Sequence, residues 1–464
     1  MFTEIKSVHF IGIGGTGMAA AAAAMQEKGY IVSGSDQNVY EPMASFLAQK
    51  KIAVMNGYAA ANLNHKPDLV VVGNAIVRGN PEAEFVLDHK LRYGSLPALL
   101  SEFFIRGKRS IVVTGTHGKT TTTSLLAWVF EHNGLNPSFF IGGIPGNFSQ
   151  GARFTDSEWI IIEGDEYDTA FFDKRSKFIH YQPEAVIINN LEFDHADIFE
   201  NLAAIQKTFS HLIRIIPHNG LLLANGDDAN LAPLLNVNFC PVKRFGLGEN
   251  NAVQAFNLKL ASTASEFEIP SFKFRLNLVG EFNVRNALAV AACAKHFGLS
   301  NKQIQSAFET FRGVKRRMEV RGIAGGVTVI DDFGHHPTAI RLTLEALRLK
   351  FPREKIWAIF EPRTNTTRRN VFQNDLAAAF GLANSVVVSQ VARLEQLAPA
   401  ERLDPEKLMQ DLKAAGKDAA YLPDADAIVA HVSKNAQGGD VVVVFSNGGF
   451  GGIHGKLLEK LARR

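Results

Sequence analysis

The chain has almost no cysteine: Cys240 and Cys293, each among apolar neighbours, are the two in 464 residues. That excludes a disulfide framework and a cysteine metal cage, and both thiols read as buried core groups. Long apolar runs are missing too. No stretch approaches the roughly 18 residues a membrane-spanning helix needs. The start, Met1 to Phe10, lacks a basic segment followed by an apolar one, and the alanines within Met18–Met25 follow a glycine turn and read as a helix. Charge of one sign is also scarce. A formal net charge of +3 argues against a dedicated nucleic-acid binder, and no low-complexity tract or fixed-period repeat occurs. A hydrophobic content of 46% with 20% charged residues is that of a globular protein, so residence in the cytoplasm without membrane insertion is expected.

What is present is glycine, placed at the ends of apolar strands. Ser110–Val113 reads as a buried strand, followed by Thr114-Gly-Thr-His-Gly-Lys-Thr-Thr121 and a helix expected over Ser124–Glu131. Glycines let backbone N–H groups approach phosphate oxygens, and a helix N-terminus adds favourable partial charge. Gly115, Thr116, His117, Gly118, Lys119, Thr120 and Thr121 form this candidate ATP loop. Lys119 is placed to reach the terminal phosphates and the Thr120 hydroxyl to hold Mg²⁺. The loop is shorter than the usual G-x-x-x-x-G-K-[ST], because Val113 stands where the first glycine would fall.

A second glycine turn lies near the start, where Gly12, Gly14, Gly15, Thr16 and Gly17 join a strand at Ser7–Ile11 to a helix. This context suits a pyrophosphate, with Asp36 ending the second strand as a candidate ribose ligand and Asn74 following the third. NAD, FAD, a UDP-sugar or a purely structural turn all fit it.

Acids follow the same rule. Glu163 sits at the tip of Trp159–Ile162, leading into Gly164-Asp-Glu-Tyr-Asp168, where a metal ligand is favoured. His195 closes Asn189-Asn-Leu-Glu-Phe-Asp-His195 after the strand Ala185–Asn189 and is a candidate ligand of a second cation. Asp331, Asp332, His335 and His336 crowd a later strand end. H-x₃-H spacing and nearby cysteine are both lacking there, so nucleotide or phosphate contacts across a closing cleft are expected instead of zinc. Arg316 and Arg317, just upstream, could neutralise a transferring phosphoryl group. Ser446-Asn447-Gly448, opening another glycine-rich turn, suits a carboxylate.

Three segments separate by pattern: 1–107, 108–313 and 314–464. Each alternates strands with helices; alternating residues at Phe256–Leu260 and Phe272–Leu278 predict a small antiparallel extension in the second. The fold class is therefore α/β in three domains. The first and last are Rossmann-like, and the middle one is a P-loop ATPase-type parallel sheet.

Taken together, Gly12–Met18, Gly115–Thr121, Glu163–Asp168, Asn190–His195, Asn283–Asn286 and Asp331–Pro337 resemble the Mur ligases over essentially the whole chain. The resemblance implies an enzyme that uses ATP and two Mg²⁺ to form an amide bond. Its domains would bind a UDP-sugar, ATP and the incoming amine, in that order. It further implies that Lys119 holds the β/γ-phosphates, Thr120 and Glu163 the first Mg²⁺, and His195 the second. Asn286 would contact adenine, Asp332 the ribose, and His335 the nucleotide, while Arg317 would reach the γ-phosphate on closure. The Gly12–Gly17 turn would cradle the UDP pyrophosphate, Asn147 the muramyl end, and Arg363, Ser446, Asn447 and Gly448 the peptide. Some relatives use a carbamylated lysine; Lys207 falls a few residues early for that role. Within the family, Gly142–Phe148 and the extended Asp165–Lys177 loop are similar to the branch that joins UDP-N-acetylmuramate to L-Ala-γ-D-Glu-meso-diaminopimelate in peptide recycling. The alternative within the family is the ligase that adds L-alanine. A nicotinamide oxidoreductase and a non-catalytic nucleotide sensor are more distant alternatives.

Overall fold

The computed structural model describes residues 5–41 and 43–464. Three large sheets, each flanked by helices, carry the chain, with two small antiparallel ones beside them: a three-stranded extension and the hairpin Asp168–Ala170 with Asp173–Ser176. The first has five parallel strands in the order Ala53–Asn56, Ile31–Asp36, Ser7–Ile11, Leu69–Val72, Tyr93–Ser95. The chain starts in the middle and reverses direction of growth between Ser7–Ile11 and Leu69–Val72. That switch point opens a crevice at the carboxyl ends of both strands, where Gly12 and Asn74 lie.

The second sheet has eight strands: Val253–Gln254, Val242–Gly246, Leu221–Asn225, Ala185–Ile188, Arg109–Thr114, Trp159–Glu163, Ser138–Phe140 and Ala152–Arg153. All pair in parallel except the last. Ile111–Val113, Ile160–Ile162 and Val186–Ile188 are fully buried because helices cover both faces, which is why these strands read as unbroken apolar runs. The antiparallel extension holds three strands; Ser265–Ile269 lies between the two that the alternation predicts, of which Phe256–Leu260 has the expected bounds and the other spans Phe272–Leu276, stopping short of Leu278. The third sheet runs Glu319–Ala324, Val327–Asp332, Val441–Phe445, Ile356–Phe360, Ser385–Ser389, Asp418–Leu422, with only the first strand antiparallel.

The helix behind the phosphate loop spans Lys119–His132, five residues earlier than the sequence suggests. A run of threonines disfavours helix on propensity. Here Thr122, Thr123 and Ser124 are fully buried, and two of their hydroxyls bond back along the helix: Thr123 to the Lys119 carbonyl at 2.7 Å and Ser124 to Thr120 at 2.6 Å. Leu125, Leu126, Val129 and Phe130 go into the core, at about 2 kcal/mol each. Burial outweighs propensity. The second strand ends at Asp36, as expected, and its polar Ser35 is buried and donates to the buried Glu82 carboxylate.

Candidate active site

The loops at the carboxyl ends of the three sheets face one cleft of about 2240 Å³. Two glycines shape its floor. Gly115 has φ +129°, and a Cβ there would meet the Asn190 backbone at 2.9 Å; Gly118 has φ +80° and would meet the Asn286 carboxamide at 2.7 Å. Gly118 lines the cleft, whereas Gly115 packs behind it against the Asn189–Asn190 backbone, and the helix that starts at Lys119 points its free N–H groups into the cradle. The residues present therefore fit a nucleotide's phosphates.

Lys119 Nζ lies 2.9 Å from each Glu166 oxygen, and His195 Nε2 lies 2.9 Å from Oε1 of the same carboxylate. Burial opposes charge on all three groups. The mutual attraction wins, holding Lys119 and His195 above their ordinary values and Glu166 below its own. Glu163 differs: burial raises its carboxyl despite hydrogen bonds from the Gly142 N–H at 2.7 Å and the Thr120 hydroxyl at 2.9 Å. An acidic oxygen and a hydroxyl held together beside the phosphate cradle are the hard donors a magnesium ion prefers. His195 sits in a left-handed backbone conformation, φ +57°, in a turn whose carbonyl accepts from Ile198 and Phe199. Such strain in a non-glycine residue is typical of functional positions.

Arg317 reaches the same point from the third sheet's side, with its guanidinium 3.3 Å from the Thr120 hydroxyl. Its neighbours hold the link rigid. Arg316 donates to the Ser446 and Gly448 carbonyls, and the Met318 N–H donates to Asp332. Phe333 lies within 5.1 and 5.3 Å of both guanidinium groups. Asp332 also accepts from the Gly334 N–H, and burial raises its carboxyl. Asn286, Asp332 and His335 all line the cleft, as do Thr116, His117 and Thr121.

Across the cleft, Gly12, Gly15, Thr16, Gly17, Asp36 and Asn74 form the opposite wall. Asp36 anchors the glycine turn by accepting from the Gly14 N–H at 2.8 Å, and a Cβ on Gly14 would meet that carboxylate at 2.9 Å. Gly17 is packed so closely on Phe140 of the second sheet that a Cβ would come within 2.8 Å of the ring.

Some expectations need correction. Asn147 does not line the cleft. Its carboxamide bonds to the Thr310 carbonyl at 2.9 Å and the Arg312 N–H at 2.8 Å, tying the loop to the link into the third sheet. Of the four residues expected to bind peptide, Asn447 lines the cleft while the others do not. Ser446 is fully buried and donates to Glu361, Arg363 lies 3.7 Å from Glu361, and Gly448 packs on the Arg363 guanidinium. Lys207 is exposed on the helix Leu202–Ile213 and does not line the cleft. Glu166 was visible in the sequence only as one acid among several; its pairing with Lys119 and His195 depends on the turn after Trp159–Glu163.

Family models match most of the chain. The Mur ligase family catalytic domain covers residues 7–108, the Mur ligase middle domain 113–294, and the Mur ligase glutamate ligase domain 316–448. This chain belongs to the Mur ligase family. Members of the family are ATP-dependent ligases that use Mg²⁺. Among Mur ligases, the chain is 43% identical to the UDP-N-acetylmuramate–L-alanyl-γ-D-glutamyl-meso-2,6-diaminoheptandioate ligase of Escherichia coli, over 98% of both chains. The crystal structure of a murein peptide ligase from Psychrobacter arcticus superposes with a TM-score of 0.74 at 35% identity, covering 99% of each chain. That of the UDP-N-acetylmuramate–alanine ligase from Thermotoga maritima gives 0.80 at 25% identity over 98% of each.

Proposed function

We propose that this Mur ligase uses ATP to join the carboxylate of UDP-N-acetylmuramate to the amine of L-Ala-γ-D-Glu-meso-diaminopimelate, in the cytoplasm, in recycling of cell-wall peptide. The observation that carries this reading is the 43% identity, over almost the full length, to a ligase named for that reaction. The cleft supports it, because it brings a phosphate cradle, a dinucleotide-type turn and the third sheet's loops to one space.

Residues 1–107 would hold the UDP-sugar, 108–313 ATP and 314–464 the peptide. Gly12–Gly17 would cradle the UDP pyrophosphate beside Asp36 and Asn74. Lys119 would exchange Glu166 for the β- and γ-phosphate oxygens. Asn286 would contact adenine, with Asp332 and His335 at the ribose. Thr120 and Glu163 would hold one Mg²⁺ and His195 a second; these ions, when bound, offset the charge of the transferring phosphoryl group. A carboxylate is a poor acyl donor, so its activation as an acyl phosphate precedes attack by the amine. Arg317 neutralises charge at that step. Closure of the third domain, where Asn447 faces the cleft, excludes the water that would hydrolyse the activated acid.

Phosphate release with ATP and UDP-N-acetylmuramate, offered tri-, tetra- and pentapeptides and L-alanine in turn, tests the reading. Turnover with the tripeptide is expected. Turnover with L-alanine alone would overturn it in favour of the L-alanine ligase.

A further inference from the structure

His117, Glu192 and His336 come from segments far apart in the chain, yet one donor atom of each lies within 4.8 Å of the others. His117 belongs to the phosphate loop, Glu192 to the loop after Ala185–Ile188, and His336 caps the helix Pro337–Lys350 beyond the link at Arg316–Arg317. His117 Nε2 is 3.4 Å and His336 Nδ1 3.5 Å from the same oxygen, Glu192 Oε2. A charge-assisted N–H···O bond would draw such atoms to about 2.8 Å. Ligands about 2.0–2.1 Å from a tetrahedral ion stand about 3.3–3.4 Å apart. The two imidazole–carboxylate spacings match that of a metal's ligands, and the two imidazole donor atoms lie within 4.8 Å of each other.

The surroundings suit the same reading. His336 Nε2 lies 3.3 Å from the Phe193 carbonyl, which favours the tautomer that leaves Nδ1 with a lone pair. The Thr338 hydroxyl donates to Glu192 Oε2 at 2.7 Å and orients the carboxylate. One competitor is present: the Thr338 N–H points at His336 Nδ1 from 3.2 Å, a long capping contact. All three side chains line the cleft, so a fourth position can take water or a ligand oxygen.

We propose that His117, Glu192 and His336 form a binding site for a zinc-class divalent cation, bridging the phosphate loop and the third domain. Two imidazole nitrogens and one carboxylate favour zinc or cobalt over magnesium, which takes oxygen ligands. Spacing along the chain excluded zinc within 331–337; folding supplies the missing ligands from the second domain.

The test titrates Co²⁺ into the nucleotide-free protein in excess Mg²⁺ and follows visible absorption. One equivalent should give intense tetrahedral bands that Zn²⁺ displaces. Glu192→Gln and His336→Gln should each weaken binding tenfold or more, with circular dichroism showing both folded, whereas Glu163→Gln should keep the bands. If His336→Gln fails to fold, Thr338→Val replaces it, with a smaller weakening expected. Absence of tetrahedral bands, their survival in Glu192→Gln, or their loss in Glu163→Gln would overturn the site.

Discussion

Lys119 is paired with a counter-charge. Its ammonium is only 15% exposed and the Glu166 carboxylate 3%, so each supplies the counter-charge the other needs. Replacing Lys119 by alanine removes the group proposed to meet the phosphates, and kcat should fall by at least about 10²–10³. Coupled phosphate release measures this; near-normal turnover would remove Lys119 from the ATP site. Glu166→Gln makes the opposite test. It removes the carboxylate that pairs with both Lys119 and His195, leaving them the more distant Asp165, Glu163 and Asp194, at a cost of up to about 3–5 kcal/mol. ATP phosphates should restore that charge balance, so the rise in Tm on adding ATP should be larger in Glu166→Gln than in the parent. An equal rise would mean Glu166 is not holding the place of the phosphates.

Single strands and helices place these groups by a common rule: apolar residues bury the strand, and the first polar residues after it emerge at the carboxyl edge. Glu163, Asn189 and Asp332 each follow or end such a run. The first domain adds a buried polar network that the rule does not predict. Glu82, on the helix Pro81–Asp88, is fully buried and accepts from the Ser35 hydroxyl, the Asn62 carboxamide and the Ala59 N–H. Burial favours its neutral form, but these bonds and nearby His9 hold its carboxyl below the ordinary value of 4.5. A depressed carboxyl contributes stability that is fully present above 4.5 and is lost as pH falls through the folded value. Glu82→Gln should cost about 1–3 kcal/mol at neutral pH and flatten the loss of stability below 4.5. Urea midpoints across that range decide it; an unchanged acid slope would assign the pH dependence to other carboxyls.

One of the contacts between the second and third domains is a short segment, Glu192–Asp197. The Ala196 N–H donates to the Thr366 hydroxyl at 3.1 Å, Asn365 donates to Asp197 at 2.8 Å, and Thr338 donates to Glu192. They act together with the backbone bridge beside Arg317, where the Lys315 N–H donates to the Ile144 carbonyl, and interfaces of this kind allow domain motion. Thr366→Val should leave the Ala196 N–H without its partner, broaden the distribution of sizes seen by small-angle scattering without nucleotide, and raise KM for the peptide more than it lowers kcat. A scattering profile identical to the parent's would show that the contact does not hold the domains together.

Three α/β units, the phosphate loop and the strand-tip acids were all legible in the chain, because each depends on neighbours within a few residues. Apolar runs bury strands, glycines permit left-handed turns, and polar groups follow directly after. Nothing local could show that Asn147 clasps the link at 310–312, that Ser446 turns inward to Glu361, or that Glu166 joins Lys119 to His195. Those partners lie far apart along the chain, and packing of one sheet edge against another decides which groups meet. The threonine helix makes the same point in the other direction: weak local preference for helix yielded to burial of its apolar face and to hydroxyls that found acceptors one turn back.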